Sequence, residues 1–178
     1  MNCLDIHCRH FISLSPFLVL GTQANDGMGD VTPRGDALGS VEVPDGRMLL
    51  IPDRPGKNRL DDYSNILGNP EVSLMFLIPG VNKTLRINGI AEIRNDADLF
   101  GMFTVAHKAP LTVLKVTVRE TYLHCAKALM RSKLWSPYAI IARTTLPSMG
   151  QMIKDQINSK GPVESQSDME ARYEKRLY

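Results

Sequence analysis

The sequence lacks the features that identify disulfide-stabilised, membrane-spanning and secreted proteins. It contains only three cysteines, Cys3, Cys8 and Cys125, an odd number without paired spacing, which argues against a disulfide-stabilised scaffold and favours a reducing cytoplasm. No apolar run reaches the length of a membrane-spanning helix, and the N-terminus lacks the basic-then-apolar pattern of a signal peptide. We therefore expect a cytoplasmic protein that makes no membrane contact.

An excess of charge of one sign is also missing. The 21 lysine and arginine residues nearly balance the 19 aspartate and glutamate residues, and the net charge is only +2. Since broad nucleic-acid binding needs a strongly basic face, we expect no nucleic-acid partner, although one local anion site is compatible with this balance. The hydrophobic content of 43% and the length of 178 residues indicate a single domain with its own core.

The sequence offers little support for a metal site or a catalytic triad. Four residues with ligand side chains lie close together near the N-terminus: Cys3, His7, Cys8 and His10. A zinc site needs a second ligand pair at a matching spacing, and the chain offers only the adjacent pair at 124–125. We predict no metal, and we assign no catalytic residue because no Ser/His/Asp or paired-carboxylate arrangement stands out.

What the sequence does contain is a series of short strands separated by tight-turn signals. Alternating or continuous apolar patterns predict strands at 17–24, 41–43, 48–51, 71–78, 84–94 and 111–123. Helical spacing predicts helices near 3–14, 58–67, 96–103, 126–131, 151–158 and 169–177. Residues 31–39 are expected to form an irregular, glycine-rich arm. Short strands with a few inserted helices favour an antiparallel β-barrel or sandwich.

The first stretch with chemical potential is Arg34-Gly35-Asp36. The glycine allows a ligand to approach the backbone closely, and the arginine offers a planar fork suited to phosphate or carboxylate. The alternative is an ordinary loop arginine paired with Asp36 or Asp30. The tripeptide alone does not separate the two interpretations.

The second stretch is IPDRPGKNRLD, residues 51–61. Lys57 and Arg59 flank the predicted start of a helix near Asn58, where cations oppose the helix dipole unless an anion neutralises them. The alternative is a solvated charge cluster in which these cations pair with Asp53, Asp61 or Asp62. Arg54 of the same stretch has either a ligand or a carboxylate as its partner.

Two further stretches carry isolated cations or aromatic rings. Arg86 is predicted on the polar face of the strand at 84–94, where it either meets a ligand or faces Glu92 or Glu71 across the sheet. In HCAKALMRSKLW, residues 124–135, Lys127 and Lys133 accompany the only tryptophan, Trp135. The indole either stacks on a flat ligand ring or caps the core beside a solvated basic face.

In chain order, five segments resemble one family: SPFLVLGTQ, GDVTPRGDALG, LLIPDRPGKNRLDDYSNILGNPEVSLMFLIPG, TLRINGIAEI and HCAKALMRSKLW. The family is that of the pyridoxamine 5′-phosphate oxidase-related flavoproteins, the FMN-binding split-barrel proteins, and the chain looks most like a bacterial subgroup of it. The resemblance spans about residues 7–137. It implies a mainly β fold with added helices, a six-stranded antiparallel split β-barrel, and a homodimer with FMN in the clefts between the subunits.

The resemblance also implies roles for individual residues. It assigns the FMN phosphate to Arg34, with Gly35 and Asp36 beside it, and to the stretch Lys57, Asn58 and Arg59. Three residues would border the flavin ring: Ile51, Pro52 and Asp53. Arg86 would lie near the ribityl chain or the ring edge, and three residues would reach the flavin, often from the partner subunit: Lys127, Lys133 and Trp135.

One departure from the family concerns the C-terminus. Pyridoxamine phosphate oxidases end in an Arg-Leu-x-Pro segment that helps hold the vitamin substrate, whereas this sequence reads Lys175-Arg176-Leu177-Tyr178 without the proline. The substrate is therefore left open. We expect residues 1–178 to form one split-barrel domain, with 138–178 as a helical extension over the cleft or the dimer surface.

The expected function is that of an FMN-dependent oxidoreductase acting on a small molecule. Three alternatives stay open at this point. The first is a non-catalytic flavin carrier or sensor, and the second is a split-barrel reductase that uses NAD(P)H or a deazaflavin. The third is a haem-handling split barrel, which would need His124 or His107 in the cleft.

Overall fold

The structure, a computed structural model, describes residues 1–56 and 59–178. Within these ranges one antiparallel sheet has six strands: β1 (Phe17–Gln23), β2 (Gly29–Gly35), β3 (Met48–Pro52), β4 (Glu71–Leu77), β5 (Thr84–Arg94) and β6 (Val113–His124). Their order is β2-β1-β4-β5-β6-β3, so β2 and β3 form the two edges. The curled sheet confirms the predicted split-barrel fold.

Helices fill the connections and the C-terminal part of the chain. They are α1 (Ile6–Ser13), α2 (Asp61–Gly68), α3 (Ala97–Met102), α4 (Lys127–Ser132), α5 (Met149–Gln156) and α6 (Gln166–Glu174). Two short 3-10 turns lie at Pro137–Ala139 and Arg143–Thr145. No helix in the described part of the chain is long and apolar enough to cross a membrane.

The core forms because alternate residues of the central strands point to the same face. In β4, Leu74 and Phe76 are fully buried, and in β5 Leu85 and Ile87 are buried beside them. Burying each of these side chains contributes about 1.5–3 kcal/mol to folding. The core cluster also takes in Ile12 of α1 and Ile66 of α2, so both helices are fixed against the same face of the sheet.

The prediction of an irregular arm at 31–39 was wrong for residues 31–35, which belong to strand β2, whereas residues 36–39 lie outside the strands and helices. The turn at 25–27 returns the chain so that Gly29–Gly35 pairs with β1 over its whole length. Its residues are partly or fully exposed, so no apolar pattern marks the strand in the sequence. Pro33 is tolerated since β2 is an edge strand. This pairing carries Arg34 to a position opposite Leu18.

The helix predicted near 58–67 begins later than expected. Helix α2 starts at Asp61, and its first turn contains Asp61 and Asp62, which suit the positive end of the helix dipole. Arg59 precedes the cap residue Leu60, so it does not lie in the first turn. The other residues of the predicted helix start, Lys57 and Asn58, lie outside the described residues.

The C-terminal part of the chain buries few side chains against the barrel. Large apolar side chains between 138 and 157 are exposed, among them Tyr138, Ile140 and Ile157. In α6 the one buried residue is Met169. An ion pair between Arg172 and Glu164 links α6 to the segment just before it.

Candidate functional site

A large cleft, with a volume of about 910 Å³, lies where β2, the end of β3 and the start of α2 meet. Seven of the predicted cofactor-binding residues line it: Arg34, Gly35, Asp36, Ile51, Pro52, Asp53 and Arg59. The hairpin pairing places Arg34 and Gly35, and the pairing of β3 with β6 places Ile51 and Pro52. Asp36 and Asp53 each directly follow these strands. Two segments that are distant in sequence therefore meet in one cleft.

Among the described residues of the cleft, Arg34 is the most deeply buried cation. One terminal nitrogen, Nη1, lies 2.6 Å from Asp53 Oδ1, and the other, Nη2, lies 2.7 Å from Asp62 Oδ2. All three side chains are nearly buried. The remaining donor, Nε, is buried and has no hydrogen-bond partner among residues 1–56 and 59–178. The guanidinium also lies 5.6 Å from the ring centre of Tyr63.

The carboxylates around Arg34 keep it charged despite its burial. Burial alone would lower the pKa of Arg34, but Tyr63, Asp53 and Asp62 together raise it above its usual value. Burial raises the pKa of Tyr63 to about 12, and Asp53 adds to this effect, while a hydrogen bond with Thr112 at 2.8 Å opposes it. This corner of the cleft is thus a dense, partly buried network of charges.

A second ion pair lines the cleft beside the first. Arg54 Nε donates to Asp36 Oδ2 at 2.7 Å, and Arg54 Nη1 donates to the backbone carbonyl of Phe103, also at 2.7 Å. The phenol of Tyr178 donates to the other oxygen of Asp36 at 2.7 Å. Burial would raise the pKa of Asp36, but these hydrogen bonds outweigh it and hold the pKa below its usual range. Arg54 therefore has a carboxylate partner within the chain.

The phosphate-binding stretch predicted at 57–59 is only partly described. Arg59 pairs with Asp61 and its side chain is 88% exposed, so it is available to a ligand at the cleft mouth. Lys57 and Asn58 lie outside the described residues. The predicted phosphate contact remains a prediction.

The other predicted site residues lie away from the large cleft. The Arg86 guanidinium lies 5.3 Å from the ring centre of Tyr122, the residue of β6 that pairs with it in the sheet. Arg86 is therefore not opposite Glu92 or Glu71, the alternatives that the sequence left open. Trp135 donates its indole N–H to the carbonyl of Val81 at 3.0 Å. Lys127 begins α4 and Lys133 directly follows it, and both side chains are exposed.

A smaller, mainly apolar pocket of about 430 Å³ lies between the sheet and α4. Arg86 lines it together with His124 and Cys125. None of Arg86, Lys127, Lys133 and Trp135 is among the described residues that line the larger cleft. A single chain therefore does not bring the two predicted halves of the site together.

Sequence reasoning missed several residues of the large cleft. Asp62 was considered only as a partner of Lys57 or Arg59, whereas it binds Arg34. Arg172, Tyr173 and Arg176 also line the cleft from α6 and the segment that follows it. No local pattern could place them there, because the contact joins opposite ends of the chain. Among the described residues, no group of three or more His, Cys, Asp or Glu side chains is placed to hold a metal ion.

Comparison with known proteins assigns most of the chain to one family. The family model described as pyridoxamine 5′-phosphate oxidase matches residues 4–125. None of the curated proteins searched is significantly similar to the chain.

Solved structures share the fold at low sequence identity. HupZ from Group A Streptococcus has a TM-score of 0.53 at 16% identity, over 67% of this chain and 92% of that one. A candidate pyridoxamine 5′-phosphate oxidase from Lactobacillus delbrueckii has a TM-score of 0.53 at 22% identity, over 68% and 95%. An FMN-binding protein from Syntrophomonas wolfei has a TM-score of 0.51 at 14% identity, over 66% and 83%. At these identities the likeness is one of fold.

Proposed function

Because this chain belongs to the pyridoxamine 5′-phosphate oxidase family, we propose that it binds FMN in the large cleft and acts as an oxidoreductase on a small molecule. The observation that carries this proposal is the meeting of residues 34–36 with residues 51–53 and 59 at one cleft. The family resemblance assigns both stretches to the cofactor on sequence alone, and the fold brings them to the same place. The FMN-binding neighbour from Syntrophomonas wolfei is in accord with the choice of flavin.

The chemistry of the cleft fits such a cofactor. FMN combines a phosphate dianion, a polyol chain and a flat ring, and it needs donors, cations and a cleft of several hundred Å³. The cleft has the volume, and Arg34 offers a buried Nε–H without a partner among the described residues. An unpaired buried donor costs about 1–3 kcal/mol, so an acceptor on a ligand would relieve that cost.

Each lining residue then has a distinct task. Arg59 at the cleft mouth and Lys57 would supply charge to the phosphate, Asn58 would supply an uncharged amide donor, and Arg34 would supply its Nε donor. Gly35 would permit close approach of the ligand, and Asp36 would fix Arg54.

The flavin ring would be bordered by Ile51, Pro52 and Asp53. Bound FMN would supply the redox chemistry, while these residues bind and orient it.

We further propose that the working unit is a homodimer. Arg86, Lys127, Lys133 and Trp135 lie outside the large cleft of their own chain, and the segment that follows them exposes large apolar side chains. Both facts are explained if these residues complete the cleft of a second copy. The cofactor would then lie between the two subunits.

The test is direct. The purified protein should be yellow or should take up added FMN, measured by quenching of flavin fluorescence. Arg59→Ala should weaken FMN binding by about tenfold or more, as expected for loss of a charge-assisted contact worth about 1.5–3 kcal/mol. Arg59 is exposed, so its removal should leave the fold intact.

A matched control is Arg119→Ala, since Arg119 is an exposed arginine of β6 outside the cleft. It should not change the affinity for FMN. A colourless protein that ignores added FMN would overturn the proposal. If FMN binds but no electron donor or acceptor supports turnover, including NAD(P)H and oxygen, the protein is a flavin carrier or sensor and the enzymatic part of the proposal fails.

A further inference from the structure

The end of the described chain enters the rim of the large cleft. Tyr178 donates its phenol to Asp36 at 2.7 Å, and the Arg54 guanidinium lies 5.4 Å from the centre of the Tyr178 ring. The ammonium of Lys108 donates to the backbone carbonyl of Tyr178. A carboxylate, a guanidinium face and a lysine thus hold one aromatic residue that is 142 positions away in sequence from Asp36.

The subsite that receives this ring is built independently of Tyr178. Arg54 Nε donates to Asp36 Oδ2 at 2.7 Å, a contact in which Tyr178 takes no part. A second hydrogen bond, to the carbonyl of Phe103, fixes the plane of the Arg54 guanidinium. The subsite therefore presents a fixed flat cation beside a fixed acceptor. A flat ring that carries an O–H or N–H donor satisfies both groups at once.

The segment that carries Tyr178 is lightly attached. Met169 is the one buried residue of α6, and the Arg172–Glu164 ion pair has side chains 45% and 40% exposed, so it contributes little. The start of the helix is also held where Gln166 accepts hydrogen bonds from Arg143 and from the backbone N–H of Met149. Lys175 and Arg176 are exposed, and the Leu177 side chain is 59% exposed. Detaching this segment costs few contacts, and it would uncover the subsite without disturbing the sheet.

We propose that the Arg54–Asp36 pair is a subsite for a planar ring bearing a hydrogen-bond donor, and that Tyr178 fills it as a displaceable ligand supplied by the chain itself. The substrate of the cleft then belongs to the hydroxylated or N–H-bearing aromatic compounds. Residues 166–178 act as a latch that such a compound displaces. The link to a substrate rests on the proposed function, but the subsite and the latch do not.

The experiment empties the subsite and offers it a small replacement. In Tyr178→Ala, p-cresol, which reproduces the lost side chain, should bind and should shift the NMR signals of Asp36 and Arg54. Its affinity should exceed that for the unmodified protein by about tenfold or more, since Tyr178 no longer competes. Toluene, which lacks the hydroxyl, should bind about tenfold more weakly than p-cresol to the variant.

The control variant is Tyr138→Ala, because the side chain of Tyr138 is 96% exposed and makes no contact with the cleft. It should respond to p-cresol as the unmodified protein does. Equal affinity of p-cresol for Tyr178→Ala and the unmodified protein would overturn the proposal, as would equal affinity of p-cresol and toluene for the variant. These measurements use the protein without FMN, so a failure of FMN binding does not change what they decide about the subsite.

Discussion

At the scale of single residues, the cleft has two kinds of arginine. Arg34 and Arg54 are nearly buried and form ion pairs with aspartates. Arg59 is exposed, and its partner lies at the surface. Breaking a buried pair by removing one member costs about 3–5 kcal/mol, but an exposed pair contributes about 1 kcal/mol or less. The buried arginines therefore shape the cleft, and the exposed Arg59 is a cation that can change partner.

Only part of this network could be predicted from the sequence. The position of Arg34 in a ligand-sized cleft was anticipated, but its partners Asp53 and Asp62 are 19 and 28 residues away. The proposed local partners, Asp30 and Asp36, are not the ones it uses. Side-chain pairs of this kind depend on which strands meet, and that information is not local.

The raised pKa of Tyr63 predicts a loss of stability in strong alkali. Because the folded protein holds this phenol protonated up to about pH 12 while the unfolded chain releases the proton near pH 10, the contribution is complete below pH 10. It should disappear as the pH rises from 10 to 12. The unmodified protein should lose about 1–2 kcal/mol more of its free energy of unfolding over this range than Tyr63→Phe, measured by denaturant titration.

A spectroscopic titration provides the control for Tyr63. The unmodified protein has five tyrosines, and one of them, Tyr63, should form tyrosinate only near pH 12. This late increase in tyrosinate absorbance should be missing from Tyr63→Phe. Ionisation of Tyr63 at an ordinary tyrosine pKa would contradict the burial that the structure assigns to it.

At the scale of elements, periodicity predicted the strands that contribute to the core. The predicted bounds of β5, residues 84–94, agree with the structure because its buried side chains alternate along most of the strand. Strand β2 escaped prediction because its residues are partly or fully exposed and tertiary pairing alone defines it. Where burial is absent, the sequence pattern that it imposes is absent too.

Strand β5 offers a sharp test of backbone packing. A Cβ atom at Gly89 would lie 2.5 Å from the carbonyl oxygen of Thr117 and 2.8 Å from a methyl group of Val116, beside the register shift between β5 and β6. Gly89→Ala should therefore destabilise the protein by about 2 kcal/mol or more, because backbone atoms of β6 must move. Thermal or denaturant unfolding would measure this.

The matched substitution is Gly29→Ala, in edge strand β2. No heavy atom of the described residues lies within 4 Å of the position of its added Cβ. This variant should stay within about 0.5 kcal/mol of the unmodified protein. Similar costs at the two glycines would argue against the close approach of β5 and β6.

At the scale of the whole molecule, the two halves of the predicted site lie apart in one chain. If they function together, they do so across a subunit interface, and the particle in solution should have about twice the 19.8 kDa mass of the chain. Light scattering after size-exclusion chromatography measures this mass. A monomer that binds FMN at full affinity would contradict the shared site.

A mixing experiment tests whether the site is shared. Arg59→Ala and Trp135→Ala should each weaken FMN binding, because each removes one half of every site. Refolding the two variants together should restore tight sites in the mixed dimers, since one of their two clefts then has both residues. If Arg59 and Trp135 acted within one subunit, mixing would restore nothing.

The edge strand β2 has a consequence for the behaviour of the protein at high concentration. A free strand edge is a template on which other chains can add strands and grow into fibres. Pro33 lies in the middle of this edge and has no N–H to offer an incoming strand. Pro33 therefore acts as a gatekeeper against edge-to-edge aggregation of the barrel.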